Sequence, residues 1–317
     1  MNRPELEKIV VVTRKTDLDE LVERFGTRDQ ARFYVEKMGL DFDEYEQANE
    51  VYRDAIEVLR KSLPQKVRNQ WIDRTFLPRF QFGQKDLVVV MGQDGLVVNT
   101  AKYLADQPVV AFNPDPSRFD GILLPFALIQ AEWAIENALI RTLPERRVSM
   151  ARVSLNDGQE LFAVNDLFIG HKSHGSARYR LEFMERGEEQ SSSGIIVSTG
   201  AGSTGWYSSI LRGTLGVVSA YVDRGAVQPF LDNATKNLAW ESKDLVFSVR
   251  EPFRSRTTFA RIVHGRIQPG ETFRLTSRMP QSGVIFSDGV ENDFLAFNSG
   301  TVAEISLAQR CLTLCMP

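Results

Sequence analysis

The sequence predicts an α/β domain with a parallel sheet, followed by a mostly β domain of sandwich type. Three observations carry that expectation. Short apolar runs alternate with helical patterns as far as about residue 147, the texture of a parallel sheet with helices on its faces. Beyond that point short alternating segments take over and long helical patterns are missing. A chain of 317 residues is also long enough for two domains with separate cores. The expected division is residues 1–147 and 148–317, with the last residues a candidate to return to the first domain.

The elements follow in order. Ile9 to Val12 reads as a buried strand. A helix beginning at Asp17 places Leu18, Leu21, Val22 and Phe25 on one face, with Gly26 as its C-cap. Thr27 to Gln30 has capping-box form and opens a second helix carrying Ala31, Tyr34, Val35 and Met38. A third helical face holds Ala48, Val51, Tyr52, Ala55 and Leu59 and stops before Pro64. Then come a strand at Leu87 to Met91, a helix from about Leu96 to Ala105, a strand at Val109 to Phe112, and a long helix from Pro125. In the second half, Asn156-Asp-Gly158 is a hairpin turn between the segments VSMARVSL and ELFAVNDLFI. Tyr179, Leu181 and Phe183 alternate with charged residues, and GIIVS, DLVFSV and TFRLTS supply further strands.

Composition narrows the function classes. Hydrophobic residues make up 43% and charged residues 25%, ordinary for a globular protein. A net charge of −3 gives no basic field for nucleic acid. No apolar stretch approaches the roughly 20 residues that span a bilayer, so no membrane association is expected. The opening MNRPELEKIVVV, acidic beside a short apolar run, does not read as a signal peptide, and the cytoplasm is the expected compartment. Cys311 and Cys315, four apart with no histidine nearby, read as small strand residues, and no protein-built metal site is expected.

Two glycine-rich stretches carry the chemistry. In DLVVVMGQDGLVVN a buried strand runs into Asp94 between Gly92 and Gly95, which suits a phosphate-binding loop presenting one carboxylate. In Gly200-Ala-Gly202-Ser-Thr-Gly205 the spacing fits a dinucleotide fingerprint after the strand Ile195 to Val197, with Asp223 about twenty residues on. Gly213 and Gly216 interrupt the helix such a crossover needs, each costing about 1 kcal/mol in a helix interior. A nicotinamide-dependent oxidoreductase, or a plain NAD(P)-binding protein, is the alternative this second stretch supplies.

Taken together, separated stretches resemble the NAD kinase family. GQDG at 92–95 resembles its GGDG loop, Asn165-Asp166 its Asn-Glu or Asn-Asp motif, and Thr199 to Trp206 its Gly-Ser-Thr loop. Phe286-Ser-Asp-Gly289 is similar to a further Asp-Gly turn. Ser192-Ser-Gly194, Trp206 and Asn113-Pro-Asp-Pro-Ser117 look closest to the divergent branch with the animal mitochondrial enzymes. The resemblance covers most of residues 86–300.

It implies an α/β domain followed by a β-sandwich-like domain, and transfer of the ATP γ-phosphoryl group to the adenosine-ribose 2′-hydroxyl of NAD or NADH. Asp94 would accept or orient the hydroxyl proton, while Gly92, Gln93 and Gly95 bring backbone N–H groups to phosphate. Mg²⁺ would be held largely by the phosphates and water. Asn165 and Asp166 would hydrogen-bond adenosine. Thr199, Gly202, Ser203, Thr204 and Gly205 would hold the dinucleotide, with Trp206 walling its rings. A homodimer or homotetramer is implied. A related kinase acting on a lipid or a nucleoside is a further alternative.

Two departures from the family pattern bear on the site. Gln93 replaces a glycine, harmless where its φ is negative, and Leu96 replaces a threonine. Ser193 stands where many members carry an aspartate that contacts the nicotinamide end. Outside these motifs, His171, His174 and His264 read as loop or strand residues. Arg250, Arg254 and Arg256 read as a solvated basic edge, and Arg118 as a candidate donor contact.

Overall fold

A computed structural model of the chain describes residues 6–222, 225, 229 and 238–317. It divides into two compact units, Met1–Arg146 with Thr313–Pro317, and Arg147–Leu312.

The first unit is built on parallel strands. β1 (Lys8–Thr13) pairs with β2 (Arg68–Asp73) on one side and β3 (Asp86–Met91) on the other, and β3 pairs with β4 (Pro108–Phe112). β3 and β4 are buried along their whole length, which is why they read as continuous apolar runs. β2 escaped the sequence reading because RNQWID has no such run; only Ile72 in it is buried. Helices α1 (Asp17–Phe25), α2 (Arg28–Lys37) and α3 (Phe42–Ser62) lie between β1 and β2 in sequence. The full capping box belongs to α1, between Thr16 and Asp19; Thr27 caps α2 through the Gln30 N–H alone. Tyr52, Ala55 and Leu59 of α3 pack with Ile9, Val11, Leu87 and Val89 into the sheet core.

Two helices of this unit differ from expectation. α4 runs from Asp94 to Ala101, so the helix begins on the motif itself and not at Leu96. The long helix expected from Pro125 is α5 (Ala131–Leu139), preceded by a single 3-10 turn at Leu128–Gln130. Phe126 is held extended instead, bridging to Phe112 and donating its N–H to Ala111.

The second unit is a β-sandwich. One layer contains β5 (Glu145–Leu155), β6 (Glu160–Ala163), β8 (Ala177–Phe183), β9 (Arg186–Ser192), β13 (Phe273–Ser277) and β16 (Val302–Cys315). The other has the order β12-β11-β10-β7-β14-β15, formed by β7 (Asp166–His171), β10 (Ile195–Ser198), β11 (Leu245–Val249), β12 (His264–Ile267), β14 (Gly283–Ser287) and β15 (Val290–Ala296). Inward side chains of both layers, among them Leu167, Ile169, Tyr179, Leu181, Val197, Phe247, Phe273 and Ile305, form one core. The last residues of β16 belong to the first unit, where Thr313 and Leu314 pair with Pro108 and Val109 of β4.

Two corrections concern this unit. The segment ELFAVNDLFI is two strands, β6 and β7, broken at Val164–Asn165 so that β7 joins the opposite layer. A 13-residue helix, α6 (Trp206–Val218), follows the Gly-Ser-Thr loop although none was expected here. Gly213 and Gly216 are tolerated: a Cβ at either would meet none of the described residues, so their cost there is conformational.

Candidate functional site

In the first unit the GQDG stretch forms the junction between β3 and α4. Gln93 is the N-cap residue, at φ −105°, so its side chain brings no backbone strain. Neither flanking glycine takes a positive φ. Gly92 is required for another reason: a Cβ there would lie 2.8 Å from Leu96 Cδ2. Gly95 faces open space and leaves the first helical turn uncovered. No side chain caps the start of α4, where the Leu96 N–H donates to the Gln93 carbonyl at 2.8 Å. Asp94 Oδ1 accepts the Leu123 N–H at 2.6 Å, which fixes the carboxylate.

Beside this junction lies a cavity of about 350 Å³ lined by Arg14, Thr16, Asp41, Glu44, Tyr45, Tyr52, Gln93, Asp115 and Arg118. It sits past the carboxyl ends of β1, β3 and β4. The connection leaving β1 runs to β2 on one side, and the connection leaving β3 runs to β4 on the other. Ligands of open α/β sheets bind at such a divergence. Tyr52 braces its floor, donating to the Met91 carbonyl and accepting the Arg14 N–H, both at 3.1 Å. Arg14 Nε is buried with no hydrogen-bond partner among the described residues. The sequence reading gave Tyr52 only a packing role and did not single out Arg14.

In the second unit, three segments distant in sequence come together. Thr199 donates its N–H to the Asn165 carbonyl at 2.9 Å and its hydroxyl to the Val164 carbonyl, while Gly202 donates its N–H to Thr199 Oγ1 at 3.2 Å. Gly202 must be glycine, since a Cβ would fall 2.2 Å from the Asn165 carbonyl oxygen. Ser203 donates to the Gly200 carbonyl and accepts the Leu238 N–H. Thr199, Gly202 and Ser203 are thus buried and hold the loop; Thr204 and Gly205 are exposed. The third segment is the Asp288 turn, whose carboxylate accepts the N–H groups of Val164, Asn165 and Asp166 at 3.1, 2.7 and 3.2 Å.

Asp166 is half-buried, but its Oδ1 is sealed from water with no hydrogen-bond partner among the described residues. Burial pushes its carboxyl up to about 7, against a lowering hydrogen bond with Ser198 and with a small further rise from the Asp288 charge. Trp206 stacks on Phe168, ring centres 5.8 Å apart, and the Arg250 guanidinium lies 5.5 Å from the Trp206 ring centre. Phe168 in turn stacks on Phe286, so these aromatics form a second small core under α6.

The remaining candidates take ordinary roles. His171 accepts the Ser173 N–H within its own turn, and His264 Nε2 lies 2.8 Å from the Tyr207 hydroxyl. Arg254 and Arg256 are exposed. The dinucleotide fingerprint is not a Rossmann turn. A helix does follow Gly205, but β10 pairs antiparallel with both β7 and β11, where a crossover needs a parallel strand. Asp223 lies outside the described residues.

No protein-family model matches the chain. It is 25% identical over 256 residues to the human (Homo sapiens) protein named NAD kinase 2, mitochondrial, with 60% of this chain and 58% of that one covered. The chain therefore spans under two-thirds of that relative. Among solved structures, yeast NADH kinase complexed with NADH has a TM-score of 0.58 at 14% identity, covering 99% of this chain and 84% of that one. An NAD kinase from Archaeoglobus fulgidus in complex with ATP has a TM-score of 0.55 at 15% identity, covering 97% and 93%. In sequence the chain is similar to an NAD kinase, and it has the fold of these enzymes.

Proposed function

We propose that this chain transfers the terminal phosphoryl group of ATP to the adenosine-ribose 2′-hydroxyl of NAD or NADH, giving NADP or NADPH. The observation that carries the reading is the joining of the Asn165–Asp166 turn to the Gly-Ser-Thr loop, with a buried Asp166 oxygen left unpartnered, in a chain of this fold. The Asp166 carboxyl suits the paired hydroxyls of a ribose, and Asn165 supplies an amide for adenosine. Thr204 and Gly205 would meet the dinucleotide, and Trp206 would flank its rings.

The donor is assigned to the GQDG junction. The uncapped start of α4 would supply N–H groups to phosphate oxygens; the adjoining cavity offers Arg14 and Arg118 among the carboxylates of Asp17, Asp41, Glu44 and Asp115, so a bound cation would have to offset part of the nucleotide's charge there. Asp94, oriented by Leu123, accepts the proton of the attacking hydroxyl or aligns that hydroxyl in line with the phosphorus. Magnesium neutralises phosphate charge when bound with the nucleotide. Assembly as a homodimer or homotetramer and a cytoplasmic location complete the proposal. No helix among the described residues is long and apolar enough to cross a membrane.

The test is direct. Purified protein with ATP, Mg²⁺ and either NAD or NADH should form NADP(H), read by an NADP-specific coupling enzyme. ATP consumption only with a lipid or a nucleoside would reassign the acceptor. A change at the nicotinamide absorbance band without ATP would point to an oxidoreductase.

A further inference from the structure

We propose that Asp288 is a positioning residue for the dinucleotide: its carboxylate holds the Asn165–Asp166 turn in the conformation that presents both side chains to the adenosine. The inference rests on the acceptor site proposed above. It starts from a turn. Ser287 pairs with Val290, and the two residues between them, Asp288 and Gly289, have φ of 54° and 72°. That is the signature of a two-residue hairpin of type I′, for which Asp-Gly is a preferred sequence. Turn chemistry alone asks nothing of the aspartate's oxygens, and asparagine would serve the hairpin as well.

The oxygens nevertheless reach a segment more than 120 positions away. Oδ2 accepts the Val164 N–H, Oδ1 accepts those of Asn165 and Asp166, and the Asp288 N–H returns a bond to the Asp166 carbonyl at 2.9 Å. On its other side the segment gives the Val164 and Asn165 carbonyls to Thr199. Every backbone donor and acceptor from Val164 to Asp166 therefore has a partner inside the protein. The backbone there has no N–H left to offer a ligand, so donation falls to the Asn165 side chain and further acceptance to the Asn165 and Asp166 side chains. The bonds converge where β6 ends and β7 crosses to the opposite layer; Asp166 is already paired with Ser198 of β10, but Val164 and Asn165 lie between the two strands. Asp288 supplies the missing restraint.

Two variants test this. Asp288→Asn keeps the turn and the size but converts one accepting oxygen to an amide donor; Asp288→Gly keeps the positive φ and removes both oxygens. Calorimetric titration with NAD in the absence of ATP should show affinity weakened about 10-fold for the first and about 100-fold for the second, the range for hydrogen bonds to a charged group. In turnover the KM for NAD should rise in step while the KM for ATP stays within about twofold. Against an Asn165→Ala background, Asp288→Asn should cost much less than it does alone, because it acts through the turn that Asn165 reports. Unchanged NAD affinity, equal shifts in both KM values, or full additivity with Asn165→Ala would overturn the proposal and leave Asp288 a hairpin residue. Should Asp288→Gly fail to fold, the asparagine variant and the cycle still decide. A wild-type chain that binds NAD but forms no NADP(H) would remove the kinase reading alone, since the binding titrations stand without it. One that binds neither NAD nor NADH would overturn both.

Discussion

Asp94 and Asp166 are both half-buried carboxylates, yet their surroundings assign them opposite tasks. Asp94 is held by one backbone N–H at the open start of a helix, a setting for a group that meets a proton in the transition state. Asp94→Asn is nearly isosteric and should keep the fold and the NAD affinity, while kcat falls by roughly 10² to 10⁴. Steady-state kinetics beside a dinucleotide titration would check it, and near-normal turnover would make Asp94 a turn residue. Asp166 is raised to about 7 by burial, so its folded form holds a proton that the unfolded chain has already lost by mid-range pH. The stability from that proton is complete below the ordinary carboxylate range and disappears as pH rises through about 7. Asp166→Asn should therefore gain thermal stability relative to the parent between pH 5 and pH 8, measured as a widening Tm difference, while losing affinity for NAD. The motif chemistry at these positions was legible because residue type and spacing carry it. The reason for Gly92 was not, because the Leu96 side chain that crowds it is revealed only by packing. Asp288 was quoted as part of a turn, and turn chemistry hid its longer reach.

Strands that are buried on both faces announce themselves, and helices with one apolar face do so nearly as well. β3, β4, α1 and α3 were readable for that reason. β2 was not, since five of its six residues are at least partly exposed. α6 failed for the opposite reason: its glycines were weighed as breakers, although a penalty of about 1 kcal/mol each is easily outweighed by packing Trp206 and Ile210 on the sheet. Gly213→Ala and Gly216→Ala should each stabilise the protein by up to about 1 kcal/mol, since the added methyl meets nothing. Denaturant titration would show it, and a loss of stability at either position would mean that the helix needs its glycines. The single strand expected across Val164–Asn165 also failed at this scale, because the restraints that break it come from residues 199 and 288.

At the scale of the whole molecule, β16 is the element that serves both units. Its first residues pair with β13 in the sandwich, and Thr313 and Leu314 pair with β4. Leu314 is fully buried. Leu314→Ala should cost about 2–5 kcal/mol, felt first in the unit that contains β4. Amide exchange should then accelerate at Val109 to Phe112 before it changes at β13 and β8; simultaneous loss of protection everywhere would mean that the two units unfold as one. The change of texture near residue 147 was visible in the sequence because it reflects a change of period. The pairing partner of residues 313–314 was not, because periodicity does not say which strand a strand will find.

That shared strand sets an order of events during synthesis. When a ribosome has released residues 1–146, β4 has β3 on one side and only the single bridge from Phe126 to Phe112 on the other, although all five of its residues are destined for the interior. The strand that covers it is translated only after the entire sandwich. At about 5–20 residues per second the wait is on the order of ten seconds to half a minute. Through that interval the nascent first unit exposes an apolar β-edge, the kind of surface that chaperones bind and that crowded polysomes aggregate.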